Sequence, residues 1–130
     1  MNKGGIALKK LRGIVLLLLL TSLITGCSRS TKNNATPEVL LKTNTNADFF
    51  IMDNTVYKNA IDIDWVKGIS VKEGSALGRI NKTKVKRNFK NWNATVLGVG
   101  TEIYKLEDRQ DIVLAKKDDK YIPYIKYVEG

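Results

Sequence analysis

Apolar positions along the chain come in two textures. Residues 14–20 form the unbroken block IVLLLLL, which continues through Thr21 and Ser22 to Ile24. Beyond Ala47 the apolar residues fall into short runs separated by Gly, Asn and Asp. Such runs, divided by turn-forming residues, are the pattern of a β-rich domain. Residues 49–52 and 55–58 flank Asp53-Asn54, which tolerate the left-handed backbone of a tight turn, and they predict a hairpin. Residues 59–66, NAIDIDWV, fit either a short helix capped by Asn59 or a strand with Ile61 and Ile63 on one face. ISVKEG, residues 69–74, alternates Ile69 and Val71 with Ser70 and Lys72 at the spacing of a half-buried strand. A turn at Gly74-Ser75 would then lead into a second run at 77–81. Four more runs follow at 101–106, 111–116, 120–122 and 124–128, with Asp118-Asp119 as a hairpin turn. Pro123 donates no backbone hydrogen bond, so it is expected at a sheet edge or at a break between strands. The expected fold is mainly β, a small twisted antiparallel sheet or barrel of six to eight short strands with room for one short helix.

Ahead of this domain, residues 28–46 are rich in Ser, Thr and Asn and bury little apolar surface. As a flexible tether their 19 residues would reach ~24 Å root-mean-square. Within them Thr36-Pro37 suits the start of a helical turn, with Pro at its first position. The expected organisation is a leader over 1–26, a cysteine and tether over 27–46, and a β-rich domain over 47–130.

Charge sharpens this picture. The chain has 22 basic and 13 acidic residues. Four cations, Lys3, Lys9, Lys10 and Arg12, precede the apolar block, and no acid precedes Cys27. Without them, residues 27–130 carry 18 basic against 13 acidic side chains, or +5. Only residues 74–101 are lopsided, with Arg79, Lys82, Lys84, Lys86, Arg87 and Lys90 and no acid. The absence of histidine excludes Ser–His and Cys–His catalysis, and a lone cysteine excludes an internal disulfide. Zinc sites built from cysteine and histidine are excluded as well.

A cationic start, an apolar stretch and small residues before a polar continuation are the three parts of a secretory signal. The apolar stretch falls short of the roughly 20 residues that a membrane-spanning helix needs. Its end, Leu23-Ile24-Thr25-Gly26-Cys27, resembles the lipobox of bacterial lipoproteins. That resemblance implies cleavage between Gly26 and Cys27 and a diacylglyceryl group on the Cys27 sulfur. Two acyl chains make an attachment lasting, because each buried methylene contributes about 0.8 kcal/mol and one chain alone binds marginally. The tail, with Gly100-Thr101-x-Ile103-Tyr104, Ile122-Pro123-Tyr124 and Val128-Glu129-Gly130, is similar to the ends of small uncharacterised lipoproteins of Gram-positive bacteria. This second resemblance implies no activity.

The basic segment 78–92, GRINKTKVKRNFKNW, is the leading candidate site. Its cations could bind phosphates while Phe89 and Trp92 stack or insert. For an exported protein the expected partner is anionic lipid or wall polymer, at about 1 kcal/mol per cation near such a membrane, and not nucleic acid. Asp62 and Asp64, with Asp48 or Asp53, lack the ligand number and glycine turn of a calcium loop. Asp108, Asp111, Asp118 and Asp119 read as exposed turn charges. Trp65, Tyr57, Tyr104, Tyr121, Tyr124 and Tyr127 could line a ligand groove, but in a small domain without disulfides they are expected to supply the core.

The sequence therefore predicts a lipid-anchored, extracytoplasmic protein of a bacterial cell membrane, attached through diacylglyceryl at Cys27. It is expected to be non-enzymatic, to use no cofactor or metal, and to serve as an envelope interaction module through Arg79, Lys82, Lys84, Lys86, Arg87, Lys90 and Trp92. The alternative is a small ligand-binding or sensor lipoprotein.

Overall fold

Tight turns set the local architecture. The computed structural model describes residues 36–128, which belong to the compact unit of residues 33–130; the leader, Cys27 and the first part of the tether lie outside the described residues. Strand β1 (Phe49–Met52) turns into β2 (Thr55–Asn59) through Asp53 and Asn54, whose φ values are 51° and 57°. Two consecutive left-handed residues make the turn whose twist matches that of paired strands. Asp118 and Asp119, at 48° and 62°, do the same between β5 (Ile112–Lys117) and β6 (Lys120–Lys126). With β3 (Glu73–Arg79) and β4 (Glu102–Leu106), the strands form one antiparallel sheet in the order β1-β2-β6-β5-β4-β3.

This sheet is covered on both faces, which explains why β1 reads FFIM and β5 begins IVLA without alternation. Phe50, Met52, Tyr57, Ile80, Ile103, Val113, Ala115 and Tyr124 share one inner cluster. Since β1 and Ile80, the residue after β3, meet there from opposite edges of the sheet, the sheet must curl around it. On the outer face, Phe49, Ile51 and Val56 are covered by Leu40 and Leu41 of α1 (Pro37–Thr43) and by Phe89. Ile112 and Leu114 are covered by Ile63, Val66 and Ile69, around α2 (Asp64–Lys67).

Helix α1 starts as its sequence predicts. The Thr36 hydroxyl accepts from the Val39 amide at 3.3 Å, and Pro37 occupies the first turn. Residues 36–46, assigned to the tether by composition, thus include a helix that packs on the sheet. In residues 59–66 the helical alternative holds in part. Asn59 does not cap the helix; its side chain accepts from the Ile61 amide at 2.9 Å, forming a local turn, and α2 begins after Ile63.

Two expectations are corrected. Residues 69–72 form no strand: Ile69 is half-buried beside α2 and Val71 is exposed. The strand instead runs through Gly74-Ser75, because Gly74 is needed for strand contact and not for a turn. A Cβ there would lie 2.9 Å from the Lys105 carbonyl oxygen of β4. Pro123 lies inside an unbroken interior strand, where its carbonyl accepts from the Ala60 amide at 2.9 Å. Its missing N–H faces the same side as that carbonyl. The β2 ladder has already ended there at Asn59, so no strand hydrogen bond is lost.

One partly buried polar node ties Asp48, just before β1, to β2 and β6. The hydroxyl of Tyr124, a residue with no exposed surface, donates to Asp48 at 2.8 Å, and the Asn59 amide donates to the other carboxylate oxygen at 2.8 Å. Burial, and then the Asp48 charge, push the Tyr124 hydroxyl well above the usual tyrosine range. Burial also raises Tyr57. Above pH ~10 an unfolded tyrosine ionises while Tyr124 keeps its proton, so the unfolded state binds fewer protons and stability falls. The expected slope approaches about 1.4 kcal/mol per pH unit for Tyr124. Urea titrations between neutral and alkaline pH should show this decline, and Tyr124→Phe should make it shallower, with Tyr57 supplying a residual slope. An unchanged slope in the variant would contradict the node.

Candidate functional site

The basic segment begins at the last two residues of β3 and continues into the connection between β3 and β4. Its backbone is irregular but densely hydrogen-bonded. The Asn81 amide donates to the Trp92 carbonyl at 2.9 Å, Ala94 to Lys82 at 2.9 Å, and Val85 to Ala94 at 3.1 Å. Asn93, 6% exposed, accepts from the Lys90 amide and donates to the Asn81 side chain, both at 3.0 Å. That side chain therefore closes the tip of the loop.

The returning arm then runs along the free edge of β1. Ile51 exchanges backbone hydrogen bonds with Asn93 and Trp92, and the Thr95 amide donates to the Phe49 carbonyl at 3.0 Å. The Thr95 hydroxyl accepts from the Phe49 amide at 3.0 Å and donates to the Ala47 carbonyl at 2.7 Å. Asn91 accepts from the Asn54 amide at 2.8 Å, tying the loop to the first hairpin. An edge strand with unpaired amides invites association with another chain, and this loop occupies that edge. Asn93 and Thr95 were missed in the sequence, where each is a lone polar residue. Only long-range pairing reveals their role.

Within this frame the side chains separate by chemistry. Val85 is buried, Phe89 packs on Phe49 with centroids 5.4 Å apart, and Trp92 is half-buried against the inner cluster. A Cβ on Gly78 would lie 2.5 Å from the Trp92 ring. Trp92 and Phe89 thus pack against the domain and hold the loop down. Arg79 differs from the other cations in pairing with Glu102 at 3.2 Å across β3 and β4. Hydrogen bonding from Tyr104, together with the Arg79 and Lys116 charges, holds Glu102 below its usual range. The remaining five, Lys82, Lys84, Lys86, Arg87 and Lys90, are all exposed. Among the described residues none of them has a carboxylate within 4.0 Å.

The same loop forms one wall of an open groove of about 490 Å³, lined by Lys86 and Arg87 and, from α1 and the turn after it, by Glu38, Leu41, Lys42 and Thr45. Glu38, Leu41 and Lys42 recur at helical spacing, which places them on one side of α1, and Thr45 follows in the turn after it. Lys42 was not among the candidate residues. Its signal in the sequence was the helix start at Thr36-Pro37, which fixes the side it occupies.

The other candidates are not brought together. Asp48 is committed to Tyr124 and Asn59, Asp53 lies in a turn, and Asp64 sits 3.7 Å from Lys67. Asp111 pairs with Arg109 at 2.8 Å, and that contact lowers its carboxyl below the usual range. Tyr57 and Tyr124 belong to the inner cluster, as expected of core aromatics. Tyr104 and Tyr121 meet edge-on across the outer face, hydrogen-bonded to Glu102 and Glu73 respectively. Trp65 is exposed beneath the Arg109 guanidinium, 4.8 Å from its ring centroid, so these aromatics line no common groove. Comparison with family models, with curated proteins and with solved structures finds no match for the chain.

Proposed function

We propose that the protein is a membrane-anchored extracytoplasmic lipoprotein of the bacterial envelope, a non-enzymatic module whose basic loop engages an anionic surface. The observation that carries this reading is the set of five exposed cations without ion partners, held on a hydrogen-bonded loop. Flexible solvated lysines need no such frame. The leader ending at Cys27 supplies the second half of the argument. Eight residues separate Cys27 from Thr36. Even fully extended, such a segment keeps Thr36 within about 30 Å of Cys27. At that distance the effective concentration of surface is on the order of millimolar, so a patch of modest intrinsic affinity suffices.

The test uses the chain from Ser28 onward, which lacks the acylated cysteine. It is expected to sediment with phosphatidylcholine–phosphatidylglycerol vesicles at low salt and not with phosphatidylcholine alone. Binding should vanish as ionic strength rises toward about 1 M, where the screening length is about 3 Å. Equal binding to both vesicles, or insensitivity to salt, would overturn the proposal.

A further inference from the structure

We infer that the groove between α1 and the basic loop seats the phosphodiester headgroup of an anionic phospholipid in the bilayer that carries the anchor, which sets α1 and the loop facing the membrane. This rests on the reading above and names the site and its occupant. Three observations support it. First, the lining is complementary to a phosphodiester: Lys42, Lys86 and Arg87 oppose the single acid Glu38. A guanidinium can hold two phosphate oxygens at once, while lysines add point charges. Second, Leu41 gives the groove an apolar surface. A glycerophospholipid presents apolar carbon immediately beside its phosphate, whereas a free phosphate would leave that surface unused. Third, α1 is the described element nearest Cys27 in the chain, and it forms a wall of the groove. A tether leaving Cys27 therefore reaches the described part of the chain at this helix first.

The experiment uses the native acylated full chain, reconstituted either in phosphatidylcholine vesicles or in vesicles that also contain phosphatidylglycerol. Lysines are labelled with an amine-reactive reagent and read by mass spectrometry. Lys42 and Lys86, along with Lys82, Lys84 and Lys90, are expected to be protected only with the anionic lipid. Lys116, Lys117 and Lys120, at the exposed β5–β6 turn, should label equally in both. Glu38→Gln should strengthen binding of the Ser28-onward chain to the anionic vesicles about five-fold, as one elementary charge at such a surface does. Protection of the loop lysines without Lys42, and no gain from Glu38→Gln, would overturn the groove while leaving the proposed function standing. Labelling unchanged at every one of these lysines would sink both. Protection by soluble polyglycerol phosphate but not by vesicles would overturn the membrane as occupant.

Discussion

Replacing Lys84, Lys86, Arg87 and Lys90 together by glutamine is expected to abolish anionic-vesicle binding by the Ser28-onward chain. Each cation near an anionic bilayer contributes about 1 kcal/mol, so four contribute about 4 kcal/mol, or close to a thousand-fold in affinity at low salt. The fold should survive. All four side chains are exposed and none forms an ion pair among the described residues, so removing their charge leaves no acid unmatched. Surface changes of this kind usually fall within about 0.5 kcal/mol each. The loop is held instead by Asn93, Thr95, Val85 and Trp92, which the variant retains. A parallel variant with Lys116, Lys117 and Lys120 changed to glutamine loses three charges elsewhere and should bind far better than the loop variant. Equal losses in the two would mean that net charge, and not the loop, governs association.

Phe50→Ala is expected to be the most damaging single change to the fold. Phe50 has no exposed surface, stacks on Tyr57 at 5.6 Å, meets Tyr124 edge-on at 5.2 Å, and bridges through its backbone to Ala94 of the basic connection. It therefore joins the first hairpin, the interior strand β6 and the loop that covers the sheet edge. Truncating such a residue costs about 3–5 kcal/mol through lost burial and the cavity left behind. In a domain of this size each kcal/mol lowers the melting temperature by about 4–8 °C, so circular dichroism should show a fall of at least ~12 °C. Phe50→Leu should cost less, since it keeps most of the volume. A fall of only a few degrees for Phe50→Ala would contradict the enclosure of Phe50 by a curled sheet.

Local chemistry was legible in the sequence wherever a few adjacent residues decided the structure. Asp53-Asn54 and Asp118-Asp119 announced their hairpins because left-handed turn residues act within four positions. Thr36-Pro37 likewise marked a helix start, and the mainly β class followed from the short runs. Illegible were features decided by distant partners. Gly74 and Pro123 looked like breaks, yet β3 passes through one to let Lys105 approach, and β6 passes through the other because β2 stops at Asn59. The position of β6 between β2 and β5 is set by pairing across more than 60 residues of chain, as in Lys58 opposite Ile125. In the candidate site the cations were visible as a run. The roles of Trp92 as packing, Arg79 as a partner of Glu102, and Lys42 as a groove residue emerged only when distant segments met.

The central claim is that a lipid on Cys27 holds this basic face at a membrane. It is tested most directly by the intact mass of the native protein extracted from its cell envelope. The expected result is a chain that begins at Cys27 and carries a diacylglyceryl group on sulfur. A chain with a free Cys27 thiol, or one that keeps its first 26 residues, would contradict it.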